Sequence, residues 1–191
     1  MSHVRIKVAR KFVPHAMLLN AAARALKSAK AKKEAYWWDW LAAILSSSLT
    51  IEAIGNTYGE ALIPIWKDFE SASPIAKIRL CAEHCKINAN FQSYPWTTAR
   101  TLIKFRNRIA HSRPEDISVD ETYPAEDCEK HLYTKPQSKL ETMVNKDLAY
   151  EGYNAINDIL RTFADAVPPE KLVEMEDESW HGGAEFFQSP A

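Results

Sequence analysis

The chain has 191 residues, enough for one domain with a sizeable core and too few for two comfortable ones. Its 24 basic and 25 acidic residues give a formal charge of −1, which excludes a global electrostatic attraction to nucleic acid and leaves any such binding to a local patch. The three cysteines, Cys81, Cys85 and Cys128, make no disulfide framework and suit a reducing cytoplasm; with no secretion signal and no run near the ~20 apolar residues of a membrane span, a cytoplasmic protein off the membrane is expected.

Five glycines among many Ala, Leu, Lys and Glu favour helix over sheet, and the apolar residues recur at helical spacing. A first helix is predicted over 14–33, opened by Pro14 and carrying Met17, Leu18, Ala21, Ala25 and Ala29 on one face. A second spans about Tyr36 to Leu62, its stripe running through Trp37, Leu41, Ile44, Leu45 and Ser48 and on through Glu52, Gly55 and Gly59. Ser73-Pro74 reads as an N-cap followed by proline at the first helical position and opens a third helix to about Ala89. Ser93 and Pro95 start a fourth. From Ser112 to Lys135 there is no clear period, so a long loop is expected, with any sheet confined to a short pair within it. Ser138 and Glu141 form a capping-box pattern that opens a final long helix carrying Leu140, Val144, Leu148, Ala155, Ile156, Ile159, Leu160 and Phe163 and stopped at Pro168-Pro169. The expectation is an all-α bundle of about five helices over 14–167, with an N-terminal extension (1–13) and a C-terminal tail (168–191) that is acidic and disordered past Met175. No internal repeat is found.

The fourth helix ends on Arg106-Asn107-Arg108-Ile109-Ala110-His111. At about 100° per residue, Ala99, Leu102, Ile103, Ile109 and Ala110 share one apolar stripe with Arg106 at its centre. An unpaired guanidinium on a buried face costs several kcal/mol, so Arg106 must meet a carboxylate, line a polar cleft or face another chain. Glu52, equally misplaced on the stripe of the second helix, is the obvious partner. Arg100, Lys104 and Arg108, spaced by four, form a basic ridge on the opposite face.

Arg-Asn-x-x-x-His closing a long helix, with Ser112-Arg113-Pro114 beyond it and long helices around it in this order, resembles the Arg-x(4–6)-His signature of HEPN domains (higher eukaryotes and prokaryotes nucleotide-binding). These are all-α modules, many of them metal-independent ribonucleases, and the likeness covers roughly residues 14 to 167. It implies an HEPN-like helical bundle without a cofactor or metal, acting as a homodimer that brings two motifs into one cleft. It implies His111 as general acid/base, Arg106 as phosphate clamp and Asn107 as an orienting group. Arg100, Lys104, Arg108 and Arg113 are candidate RNA contacts. The matching chemistry is attack by the RNA's own 2′-hydroxyl: a base takes its proton, an acid protonates the leaving 5′-oxygen, and a cation stabilises charge at phosphorus. Histidine titrates in a range that serves either proton role, and the arginine fork matches phosphate oxygens. A toxin or antiphage-defence effector, with an antitoxin or other defence-system protein as partner, is the implied setting.

The same residues admit a second reading. A histidine at a helix end can cap carbonyls, and an arginine on an apolar stripe can serve only to pair with Glu52. Many active family members carry an aromatic residue shortly after the histidine, where this chain has Ser112-Arg113-Pro114. A non-catalytic dimerisation or adaptor module fits that pattern. Elsewhere, Lys27, Lys30, Lys32 and Lys33 cluster at the end of the first helix, and Trp37, Trp38 and Trp40 put three indoles in four positions, more than a core alone needs. Cys81, His84, Cys85, Cys128 and His131 include enough soft ligands for zinc, although Cys-x-x-x-Cys on one helix and Cys-x-x-His in a loop is a weak zinc spacing and buried free cysteines are common.

Overall fold

The computed structural model describes residues 2–176 and 180–188. Among them are eight α-helices: α1 (Pro14–Ala31), α2 (Tyr36–Leu62), α3 (Pro74–His84), α4 (Trp96–Ala110), α5 (Cys128–Leu132), α6 (Lys139–Met143), α7 (Lys146–Ala166) and α8 (Pro169–Glu176). The fold is an all-α bundle with one accessory ribbon.

The long helix α2 is its axis. Ala43, Ile44, Ser47, Ser48, Thr50, Ile51, Ile54, Gly55, Tyr58 and Gly59 are all buried, a face far wider than one stripe, because α1, α3, α4 and α7 each pack on it. Two glycines allow the closest approaches. A Cβ on Gly59 would lie 2.4 Å from the Trp66 ring, and one on Gly55 would lie 2.9 Å from Lys77 Cβ. Phe105 of α4 and Phe163 of α7, with Leu102, Ile156 and Ile159, complete the core around Tyr58.

Local signals place most helix starts. Ser73 Oγ accepts from Ala76 N–H, and Pro74 follows at the first position of α3. The Ser138–Glu141 capping box forms, yet it opens only the short α6. Asn145 then caps a new helix by accepting from Leu148 N–H, so the expected single C-terminal helix is two. In α1 the buried face is His15, Ala22, Leu26 and Ala29, rather than one through Met17 and Ala21, both of which are exposed. The alanine run is apolar all round and does not fix the phase; contacts with α2, including His15 Nδ1 at 3.3 Å from Thr57 Oγ1, do.

Two expectations about the ends change. The long C-terminal helix does stop before Pro168-Pro169, but Pro169 then starts α8, whose Met175 is fully buried and whose Glu176 accepts from Tyr58 Oη at 3.0 Å. Val13 is likewise buried, so the packed body runs past 14–167 at both ends. The only sheet among the described residues is not in the 112–135 segment, which holds a 3-10 turn and α5. It joins β1 (Ser2–Arg10) to β2 (Trp180–Gln188) as an antiparallel ribbon, where a disordered tail was expected. The remainder of that expectation, 177–179 and 189–191, lies outside the described residues. Val4, Ile6 and Val8 are exposed, so the bundle does not cover that face of the ribbon. No helix among the described residues is long and apolar enough to cross a membrane.

Candidate functional site

Helix α4 is held to α2 by two contacts one turn apart. Buried Ser48 Oγ donates to Ile44 O at 2.6 Å and to Leu102 O at 3.1 Å, a carbonyl on the neighbouring helix. Four residues on along both helices, Arg106 Nη2 donates to Glu52 Oε2 at 2.6 Å. The misplaced cation and the misplaced acid are therefore each other's partner. The same arginine's Nη1 donates to Asn107 Oδ1 at 3.0 Å, so one side chain orients the next along the motif.

The pair sits at the edge of the core rather than inside it. The Arg106 and Glu52 side chains are each 30 % exposed. Trp96, Ala99, Leu102, Ile103 and Phe105 are buried, Ile109 is half-buried, and Ala110 is exposed. The apolar stripe of α4 thus leaves the core at Arg106, and the last turn of the helix carries the motif into solvent.

A second cation shares the carboxylate. Lys77 of α3, whose side chain is only 5 % exposed, places Nζ 3.8 Å from Glu52 Oε1 and donates to Asn56 Oδ1 at 2.8 Å. Gly55, between Glu52 and Asn56, is where the α3 backbone comes close enough for this. One carboxylate between two cations leaves the cluster with an excess positive charge. Neither Lys77 nor Asn56 is evident from motif reading. The available signal was that Lys77 shares the buried face of α3 with Pro74, Ile78 and Cys81, the same misplacement that marks Arg106.

His111 follows the last helical residue and is exposed, with φ −116° and ψ 12° and its backbone N–H donating to Asn107 O. Among the described residues, no hydrogen bond or ion pair holds its imidazole. Four residues lie between it and Arg106, and its backbone has already left the helical path of α4.

The candidate RNA contacts divide. Arg100 Nη1 donates to Phe91 O at 2.9 Å, tying the α3–α4 connection, and Arg108 Nη1 leans on Met143 Sδ at 3.5 Å. Lys104 and Arg113 are exposed. The basic ridge is therefore partly committed to structure. The soft-ligand set does not converge: among the described residues no three His, Cys, Asp or Glu side chains are grouped as for a metal ion. Burial and the neighbouring Cys85 push the Cys81 thiol up to about 12. No protein-family profile, curated protein or solved structure matches the chain.

Proposed function

We propose that the protein is an endoribonuclease of the HEPN type that needs no metal and acts as a homodimer, in the setting of a toxin or antiphage-defence effector. The observation that carries the reading is the motif at the open end of α4: an arginine oriented by Glu52 and Asn107 where the helix leaves the core, and an unengaged histidine five positions on, just past the helix end. Arg106 uses one Nη2 bond for Glu52 and one Nη1 bond for Asn107, and its fork has further donors for a phosphate. In cleavage, one His111 takes the 2′-hydroxyl proton as that oxygen attacks phosphorus. The P–O5′ bond breaks, and the 5′-oxygen leaves with a proton from a second acid, supplied by the partner's copy of the motif. The products carry a 2′,3′-cyclic phosphate and a 5′-hydroxyl.

The test is RNA degradation by purified protein with EDTA present, together with product end analysis. Wild type is expected to cut, and His111→Ala and Arg106→Ala are each expected to lose about 10²–10⁴ in rate or more. Products ending in a 3′-hydroxyl, or activity abolished by EDTA, would refute the mechanism. The second reading is a non-catalytic dimerisation or adaptor module, favoured by the charge of −1 and by Ser112-Arg113-Pro114 after the histidine. A dimer inert on every RNA tried would establish that reading instead.

A further inference from the structure

The turn between α1 and α2 gathers aromatic rings and lysines. Tyr36, Trp37, Trp38 and Trp40 open α2, Lys27 and Lys30 lie near the end of α1, and Lys32 and Lys33 follow it. Helical geometry sorts the rings. Trp37 and Trp40 are half-buried against the core, while Trp38 meets Trp37 edge-on and is 67 % exposed. Tyr36 and Trp40, one turn apart, bring their rings to 4.5 Å at a 42° tilt. Beside them lies a cleft of about 460 Å³ lined by Ala29, Lys30, Tyr36, Trp40, Lys146 and Tyr150. Three helices contribute to it, α1, α2 and α7.

The chemistry of this lining is divided in a useful way. Its walls are aromatic, and its two charged residues are both cations, exposed and without an ion pair among the described residues. The nearby acid Asp39 is neutralised by Lys32 at 2.7 Å, a contact that holds its carboxyl below the usual range; Glu34 and Asp147 are exposed. Aromatic faces stack bases of any sequence, and lysines beside them take the flanking phosphates. A lipid surface would need a broad protruding apolar face, whereas here only Trp38 protrudes and Tyr36, Trp40 and Tyr150 line a recess. We propose that the cleft binds single-stranded nucleic acid, one base on the Tyr36–Trp40–Tyr150 wall and the adjoining phosphates on Lys30 and Lys146. Its lining shares no residue with Arg106, Asn107 or His111, so it is an anchoring site that does not depend on the cleavage chemistry.

The test uses the full chain and a short fluorescein-labelled oligothymidylate, which lacks the 2′-hydroxyl that the motif chemistry needs. Anisotropy is read at about 50 mM salt and upward. Wild type is expected to bind. Lys30→Gln with Lys146→Gln is expected to weaken binding at least about tenfold and to lower the log–log salt slope by about 1.4, two contacts at about 0.7 each. Tyr36→Ala is expected to weaken it on the order of tenfold with the slope unchanged. His111→Ala is expected to bind as wild type does, so anchoring and cleavage can fail separately. Wild-type affinity in the double lysine variant, or no binding by wild type, would overturn the proposal. So would binding to anionic phospholipid vesicles with no response to the oligonucleotide.

Discussion

Glu52 serves two cations with one carboxylate, at 2.6 Å to Arg106 and 3.8 Å to Lys77, and the exposure of each partner decides what their removal costs. A fully buried pair broken on one side costs about 3–5 kcal/mol because a desolvated charge is left alone. Here Arg106 and Glu52 are each 30 % exposed and Lys77 remains beside the acid, so water and the second cation both soften the loss. Arg106→Ala is therefore expected to destabilise by about 1–2 kcal/mol in urea unfolding, and His111→Ala to change stability by less than about 0.5 kcal/mol. A loss beyond about 3 kcal/mol for Arg106→Ala would mean that the pair is buried further in solution, as an interface over it would do. The contrast also separates roles: a variant that is stable and inert has lost chemistry, while one that is unstable and inert is uninformative. His111 is thus the cleaner probe of the site, and Arg106→Lys, which keeps the charge but loses the fork, is the better probe of phosphate geometry.

Between elements, glycine sets how closely α2 can be approached, and that contact decides whether the cluster assembles. A Cβ at Gly59 would overlap the Trp66 ring at 2.4 Å, a clash with a buried ring rather than with a flexible side-chain end. Gly59→Ala gains about 1 kcal/mol of helix propensity yet is expected to destabilise overall by about 1–3 kcal/mol, because Trp66 must move. A more stable Gly59→Ala variant in urea unfolding would show that this packing yields freely. The same logic explains what the sequence made legible. Start signals are local, so the starts of α1 and α3 are readable from Pro14 and Ser73-Pro74, whereas α2 begins after Ala35 without a side-chain cap and is readable only from its apolar stripe. Arg106 and Glu52 are readable as partners because each breaks the pattern of its own helix. The Lys77–Asn56 arm is less readable because it depends on α3 reaching Gly55, a tertiary contact. The break at Asn145 competes with a good capping box seven residues earlier, and only packing selects both. The ribbon had a local signal, the alternation of Val4, Ile6 and Val8 with Arg5 and Lys7, but its partner lies at the other end of the chain.

Across the whole molecule, three protonated groups tie the helices together, and their shared direction predicts how the bundle responds to alkali. Tyr58 is fully buried in α2, and burial together with the Glu176 carboxylate pushes its phenol well above the ordinary value of 10.0. Cys81 in α3 is pushed from 9.0 up to about 12, chiefly by burial, and its thiol donates to Gly55 O at 3.5 Å. Tyr94, before α4, is pushed up to about 12 by desolvation and by the bond it donates at 2.6 Å to Asp158 of α7. All three keep their protons in the folded chain at a pH where the unfolded chain has begun to lose them. Between about pH 9 and 12 the native state therefore binds more protons than the unfolded state, and unfolding becomes easier as pH rises. Below about pH 9 both states are protonated at these positions and the contribution is constant. The expected result is a urea midpoint that is flat, as far as these groups are concerned, up to about pH 8.5 and falls steadily by about pH 10.5. Tyr94 is partly exposed, so water damps its share, and Tyr94→Phe should flatten the decline only slightly. Tyr58→Phe removes a buried phenol whose ionisation would break the α2–α8 contact, so it should flatten the decline more, at a cost in baseline stability of about 1 kcal/mol for the lost hydrogen bond. A midpoint unchanged to about pH 10.5 in wild type would mean that the phenol and thiol are wet in solution. The tight packing of α3 and α8 on α2 would then be wrong, and the placement of Lys77 beside Glu52 would fall with it.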